Sequence, residues 1–243
     1  MKTLLSGHFN FRLLAFALFV AVLLQGCGGS ASRDSSFNST PAATPNTQPA
    51  TPTENVPKIV AFGDSLTAGY GLQPKESYPA LLQKMLDADG FKYEVVNAGV
   101  SGDTSAGGVR RIDWSLDSGG VRFIILELGA NDFLRGQPIA ETKKNLAQII
   151  ERANSRDARV LLAGMYTTTE AAQDYEAQIS DAFKTLASEH DAVLIPFFLE
   201  GVAGRDELNQ QDRIHPNAEG TKIVAANVYR YLKPLLEKDS RKN

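Results

Sequence analysis

The chain is predicted to fold as an α/β domain built on a parallel sheet. Five short runs between residues 57 and 237 are almost continuously apolar, as strands covered on both faces are. Between them lie amphipathic stretches long enough for helices. The two kinds of segment alternate, which implies parallel strands joined by right-handed crossovers.

In chain order, the first strand is Lys58–Phe62, followed by a helix over Tyr78–Ala88. The second strand, Tyr93–Asn97, leads to a helix over Ser105–Leu116. The third, Val121–Leu128, leads to Pro138–Asn154, where Ile139, Leu146, Ile149 and Ile150 fall near helical spacing and Pro138 suits a first turn. The fourth strand, Val160–Gly164, precedes a helix over Ala171–Ser188. The fifth, Ala192–Pro196, is separated from the last helix, Ala218–Leu236, by a long segment. Together they make one domain of about 180 residues, enough for one sizeable core.

The N-terminal part has a different composition. Lys2 and Arg12 precede an apolar run, Leu13 to Leu24, that is short for a membrane span and reads as an export signal. It ends Leu23-Leu24-Gln25-Gly26-Cys27, which resembles a bacterial lipoprotein box, although Gln25 stands where a small or aliphatic residue is usual. Cys27 is the only cysteine in 243 residues, so no internal disulfide can form. The expected organisation is a signal peptide over 1–26, a tether over 27–56 rich in Ser, Thr and Pro, and a catalytic domain over 57–243. The tether has too little to bury to offset its ordering entropy. The resemblance implies a lipidated Cys27 at the periplasmic face of a membrane, and Gly28 (not aspartate) favours the outer one. Beyond residue 26 there are 23 basic against 28 acidic residues, a net of −5, with no basic cluster for nucleic acid. A monomer is the default expectation.

Two short runs carry the chemistry. Phe62-Gly63-Asp64-Ser65-Leu66 follows the first strand, and Asp212-Arg213-Ile214-His215-Pro216 precedes the last helix. They supply a serine, a histidine and an aspartate, the parts of nucleophilic acyl chemistry. There are three histidines, and His8 lies in the signal, so the base is His190 or His215. In parallel sheets ligands sit beyond the carboxyl ends of the strands. Ser65, Gly102, Asn131 and the pair Asp212 and His215 each follow a different strand, so four loops can meet at one edge. Asp212 could hold the imidazole of His215 and fix its tautomer. The backbone N–H groups of Ser65 and Gly102 and the side-chain amide of Asn131 could receive an oxyanion. No metal and no cofactor is required.

These blocks, Gly63-Asp64-Ser65-Leu66, Gly102, Asn131 and Asp212-x-x-His215, resemble those of the SGNH (GDSL) hydrolase superfamily. The likeness is closest to the bacterial thioesterase I, lysophospholipase L1 and arylesterase group. It extends through Asn97–Thr104, Glu127–Asp132, Leu134–Gly136 and Pro196–Leu199. The resemblance implies a flavodoxin-like three-layer α/β/α sandwich of five parallel strands in the order 2-1-3-4-5. It implies Ser65 as nucleophile, His215 as base, Asp212 as its orienter, and an oxyanion hole of Ser65, Gly102 and Asn131. The substrates it implies are small-molecule or lipid esters: aryl esters, acyl-thioesters or lysophospholipids.

Plainer readings stand beside these. Gly-Asp-Ser alone is common turn chemistry, with Asp64 bonding the turn. Asp64 and Asp132 as a glycosidase carboxylate pair would leave the serine and histidine idle. His190 reads as a solvated helix end, and Gly69-Tyr70-Gly71 as a turn. No G-x-S-x-G elbow, H-E-x-x-H or C-x-x-C occurs. Phe133, Leu134, Met165, Tyr166 and Ile214 could line an apolar substrate groove, with Met165 equally suited to the core. Residues near Gly136 suggest a lid. The same machinery could serve a carbohydrate O-deacetylase, and a non-catalytic tethered binding lipoprotein is the reading from another class.

Overall fold

The computed structural model describes residues 56–165 and 173–241. The expected signal peptide, Cys27 and nearly all of the tether lie outside the described residues, as does Tyr166. Five strands form one parallel sheet: β1 (Lys58–Gly63), β2 (Glu94–Gly99), β3 (Val121–Glu127), β4 (Arg159–Ala163) and β5 (Val193–Ile195). Their order is β2-β1-β3-β4-β5, every pairing parallel, the order implied by the resemblance.

The helices are α1 (Ser65–Ala68), α2 (Tyr78–Ala88), α3 (Ser105–Leu116), α4 (Ala130–Leu134), α5 (Ile139–Asn154), α6 (Gln173–Glu189) and α7 (Ala218–Ser240). The two-residue period of a strand divides them into layers. Ile59, Ala61, Phe123, Ile125, Leu161 and Ala163 face one way, against Leu82 and Leu86 of α2 and Val228 and Leu232 of α7. Val60, Phe62, Ile124, Leu126, Val160 and Leu162 face the other, against Ile112 of α3, Leu146 and Ile150 of α5 and Phe183 of α6. Each fully buried Leu, Ile or Phe contributes about 1.5–3 kcal/mol relative to exposure. Two cores back to back explain why the strands read as unbroken apolar runs.

Two elements and one side chain differ from expectation. β2 starts at Glu94 and is an edge strand whose residues are at most partly buried. Gln83 of α2 covers its free edge, accepting from Val95 N–H at 2.7 Å and donating to the Tyr93 carbonyl at 3.0 Å. α7 runs through Pro234 to Ser240, beyond the expected Leu236. Its last turn is held by Asp239, which accepts from the Tyr93 hydroxyl and from Arg122, both at 2.7 Å. His190 is not a solvated helix end. Its side chain is only 18 % exposed, and Nδ1 lies 4.0 Å from Glu151.

Candidate active site

The loops that follow the strands gather at the carboxyl edge of the sheet. The turn after β1 is tight. At Gly63 a Cβ would lie 2.0 Å from Thr67 Oγ1 and 2.6 Å from Glu127 Oε2, so only glycine fits. Asp64 caps α1, its Oδ1 accepting from Leu66 N–H at 3.1 Å. Ser65 opens α1, and an N–H in the first turn of a helix has no partner within the helix.

His215 reaches Ser65 from 150 residues away. Residues 209–216 fold back on themselves through an antiparallel bridge between Asn209 and Pro216. The Gln210 N–H donates to the His215 carbonyl at 2.7 Å, and Arg213 takes a left-handed φ of 59°. Asn217 then caps α7, accepting from Glu219 and Gly220 N–H at 3.0 Å. This turn sets His215 Nε2 2.8 Å from Ser65 Oγ and Nδ1 2.7 Å from Asp212 Oδ2. Asp212 Oδ1 accepts from Ile214 N–H at 2.9 Å and His215 N–H at 3.0 Å. The backbone N–H groups of His215 and then Ile214, followed by the imidazole, hold the Asp212 carboxyl down at about 2. Asp212 is therefore ionised in neutral solution and can accept Nδ1–H, a tautomer in which Nε2 accepts a hydrogen bond from the Ser65 hydroxyl.

The other two loops come to the same place. Gly102 has φ 78°, a conformation open to glycine, and its carbonyl accepts from Arg135 at 2.8 Å. Asn131 lies in α4, and its Nδ2 donates to Asp64 Oδ2 at 2.9 Å, leaving its second N–H for a ligand. Asp132 is buried and accepts from Ser105 N–H at 2.8 Å and Ser105 Oγ at 2.5 Å, joining α4 to α3. Asp64 and Asp132 are thus both buried and engaged in holding loops, which argues against a glycosidase carboxylate pair. Arg111 joins the first two loops: it donates to Gly63 O at 2.8 Å, Ala98 O at 2.7 Å and Asp103 at 2.7 Å.

Sequence reasoning passed over two residues beside His215. The Tyr70 ring packs beside the imidazole, centroids 4.7 Å apart and planes tilted by 41°. Gln210 Nε2 donates to Tyr70 O at 2.7 Å and to Pro216 O at 3.0 Å, fastening the Tyr70 turn to the histidine loop. Tyr70 is a half-exposed aromatic between two glycines. That exposure was its only signal, and it is invisible without the fold.

Next to this edge of the sheet lies a cavity of about 490 Å³. Phe133, Leu134, Met165 and Ile214 line it, together with Leu66 and Phe198. Leu66 and Phe198 also border the small recess that holds Ser65 and His215. Met165 also packs in part against the core. Leu134 and Ile214 are the exposed residues of the rim, at 73 % and 53 %.

Comparison with known proteins agrees with this geometry. The profile of the GDSL-like Lipase/Acylhydrolase family matches residues 61–223. Esterase TesA of Pseudomonas aeruginosa is 39 % identical over 178 residues, covering 73 % of this chain and 89 % of that protein. Thioesterase 1/protease 1/lysophospholipase L1 of Escherichia coli K12 is 35 % identical over 182 residues, covering 75 % of this chain and 86 % of its own length. Among solved structures, AlinE4, an SGNH-hydrolase family esterase, superposes with a TM-score of 0.62 at 42 % identity, over 75 % of this chain and 96 % of its own.

Proposed function

Because the chain belongs to the GDSL-like lipase/acylhydrolase family and is a carboxylic-ester hydrolase, we propose that it works through an acyl-enzyme on Ser65. His215 is the general base and Asp212 its orienter. The observation that carries this is the unbroken relay from Ser65 Oγ through His215 Nε2 at 2.8 Å to Asp212 at 2.7 Å. As Ser65 Oγ attacks the ester carbonyl, Nε2 takes the hydroxyl proton, and Asp212 stabilises the imidazolium. The Tyr70 ring, 4.7 Å away between centroids, packs beside that imidazole. The oxyanion is received by the N–H groups of Ser65, Gly102 and the Asn131 amide, each donor worth about 3–4 kcal/mol of barrier. The imidazolium then protonates the leaving oxygen or sulfur, the acyl group stays on Ser65, and water activated by His215 releases it.

The substrates are esters or thioesters with an apolar acyl part. The lining of the 490 Å³ cavity supports this. Its walls are mostly apolar, with Glu127, Asn209 and Arg213 the polar exceptions, and they suit an acyl chain better than an acetylated sugar. The name of the E. coli relative, which joins thioesterase and lysophospholipase, points the same way. Incubation with a panel of acyl esters and thioesters, stopped in acid and followed by mass spectrometry, tests the reading. The expected result is acyl adducts on Ser65, stronger from octanoyl than from acetyl donors. Release of acetate from acetyl-xylose without turnover of octanoyl esters would replace it with the deacetylase reading.

The domain is further proposed to act at a membrane face, as a monomer, tethered through a lipidated Cys27. The support is the lipobox-like run ending at the lone cysteine. Cys27→Ala is expected to move the protein from the membrane fraction of cells to the soluble one. An unchanged distribution would remove the anchor.

A further inference from the structure

β3 ends in a charged residue at the centre of the molecule. Glu127 has no exposed surface, and its Oε1 is buried without a hydrogen-bond partner. Its Oε2 accepts from Thr67 Oγ1 at 2.8 Å and from Asp64 N–H at 3.2 Å. Gly63 leaves just the space that this carboxyl fills. Asp64, 1 % exposed, lies against it, and the two carboxyl groups are hydrogen-bond partners. Among the described residues neither group forms an ion pair. Two buried carboxyl groups in contact with no cation cannot both be ionised, so one proton must lie between them.

Asp64 is the hub of the site. Its Oδ1 accepts from Leu66 N–H and lies 3.5 Å from Ser65 Oγ, while Oδ2 accepts from the Asn131 amide at 2.9 Å. Asp64 makes these bonds best as a carboxylate, so the shared proton belongs on Glu127. We propose that Glu127 is a positioning residue of the esterase, which holds Asp64 through that proton and through Asp64 sets both the nucleophile turn and the Asn131 oxyanion donor. This rests on the reading of Ser65 and Asn131 given above.

The surroundings support a neutral Glu127. Burial first, and then the Asp64 charge, push its carboxyl well above the usual carboxylate range. Burial also raises Asp64, against the opposing hydrogen bonds from Leu66, Glu127 and Asn131. The Tyr78 hydroxyl of α2, 3.5 Å from Thr67 Oγ1, is itself pushed up by burial and stays uncharged. His215 faces Asp64 from the loop before α7, and Arg111 of α3 is engaged by Gly63 O and Asp103. No charged group on these elements neutralises a Glu127 carboxylate.

The experiment compares wild-type, Glu127→Gln and Glu127→Ala forms of the full-length protein. The glutamine side chain would keep the shape and an N–H donor for Asp64, whereas the alanine leaves Asp64 unsupported. Glu127→Ala is expected to lose kcat by up to about a hundredfold, as displaced reacting groups do, with KM nearly unchanged. Glu127→Gln is expected to restore kcat to within a fewfold of wild type.

The stability readout has a definite sign. A carboxyl raised in the folded state contributes stability fully below its unfolded value, and loses it as pH rises toward the folded one. The glutamine variant has no such loss. Its Tm should therefore gain on wild type as pH is raised from about 5 to about 9, across the range above the free carboxyl value. If Glu127→Ala does not fold, the glutamine variant decides alone: kcat lost, or a Tm gap that does not move with pH, overturns the proposal. Fluorophosphonate labelling keeps the two claims apart. A wild-type protein unlabelled at Ser65 overturns the triad, whereas labelled Ser65 with wild-type kcat in Glu127→Ala overturns only the role of Glu127.

Discussion

Ser65→Ala is expected to lower kcat by about four to six orders of magnitude, as loss of a nucleophile in a three-residue relay does. The size follows from the proposed mechanism. Without Oγ no acyl-enzyme forms, and the remaining oxyanion donors can assist only direct attack by water. Folding should be unaffected. The side chain makes only the 2.8 Å contact to His215 and a long 3.5 Å contact to Asp64, while the N–H that opens α1 is backbone and remains. Turnover of p-nitrophenyl acetate by the purified variant, beside an unchanged circular-dichroism melt, is the measurement. Activity near wild type in a folded variant would remove Ser65 from the chemistry.

His215→Ala is expected to fall nearly as far, because Ser65 would keep its proton. Asp212 would also lose the partner at 2.7 Å that makes its negative charge useful. The control is His190→Ala. That residue lies just past α6, near Glu151, and takes no part in the carboxyl-edge loops, so its loss should leave kcat within about twofold, as substitutions remote from a site do. Among the described residues, His215 has the Tyr70 ring beside its imidazole and a serine hydroxyl at its Nε2. A severe loss in the His190 variant with an active His215 variant would invert the assignment.

Strands β1, β3 and β4 were legible because both of their faces are covered, which leaves little room for polar residues. β2 was legible only in outline. As an edge strand it carries Glu94 and Asn97 among its apolar residues. α1 and α4, four and five residues long, are too short for a helical period to show, yet they carry Ser65 and Asn131. These two residues could be picked out because their neighbours form short recognisable runs. Tyr70, Gln210 and Arg111 could not, since each acts through partners scattered along the chain, such as Tyr70 for Gln210, 140 residues away. Glu127 stood in plain view as a carboxylate closing an apolar strand, but only the fold shows that it meets Asp64.

Residue order along the chain was enough to specify the layers, the parallel sheet and the types of group at the site. Burial patterns and short motifs are local, and local patterns survive in one dimension. Distance is not local. That His215 rather than His190 touches Ser65, that Asp64 joins Asn131 to Glu127, and that an apolar cavity opens beside Leu66 were decided by packing. Each depends on loops from different strands arriving at one edge, and on the desolvation that only a closed core imposes.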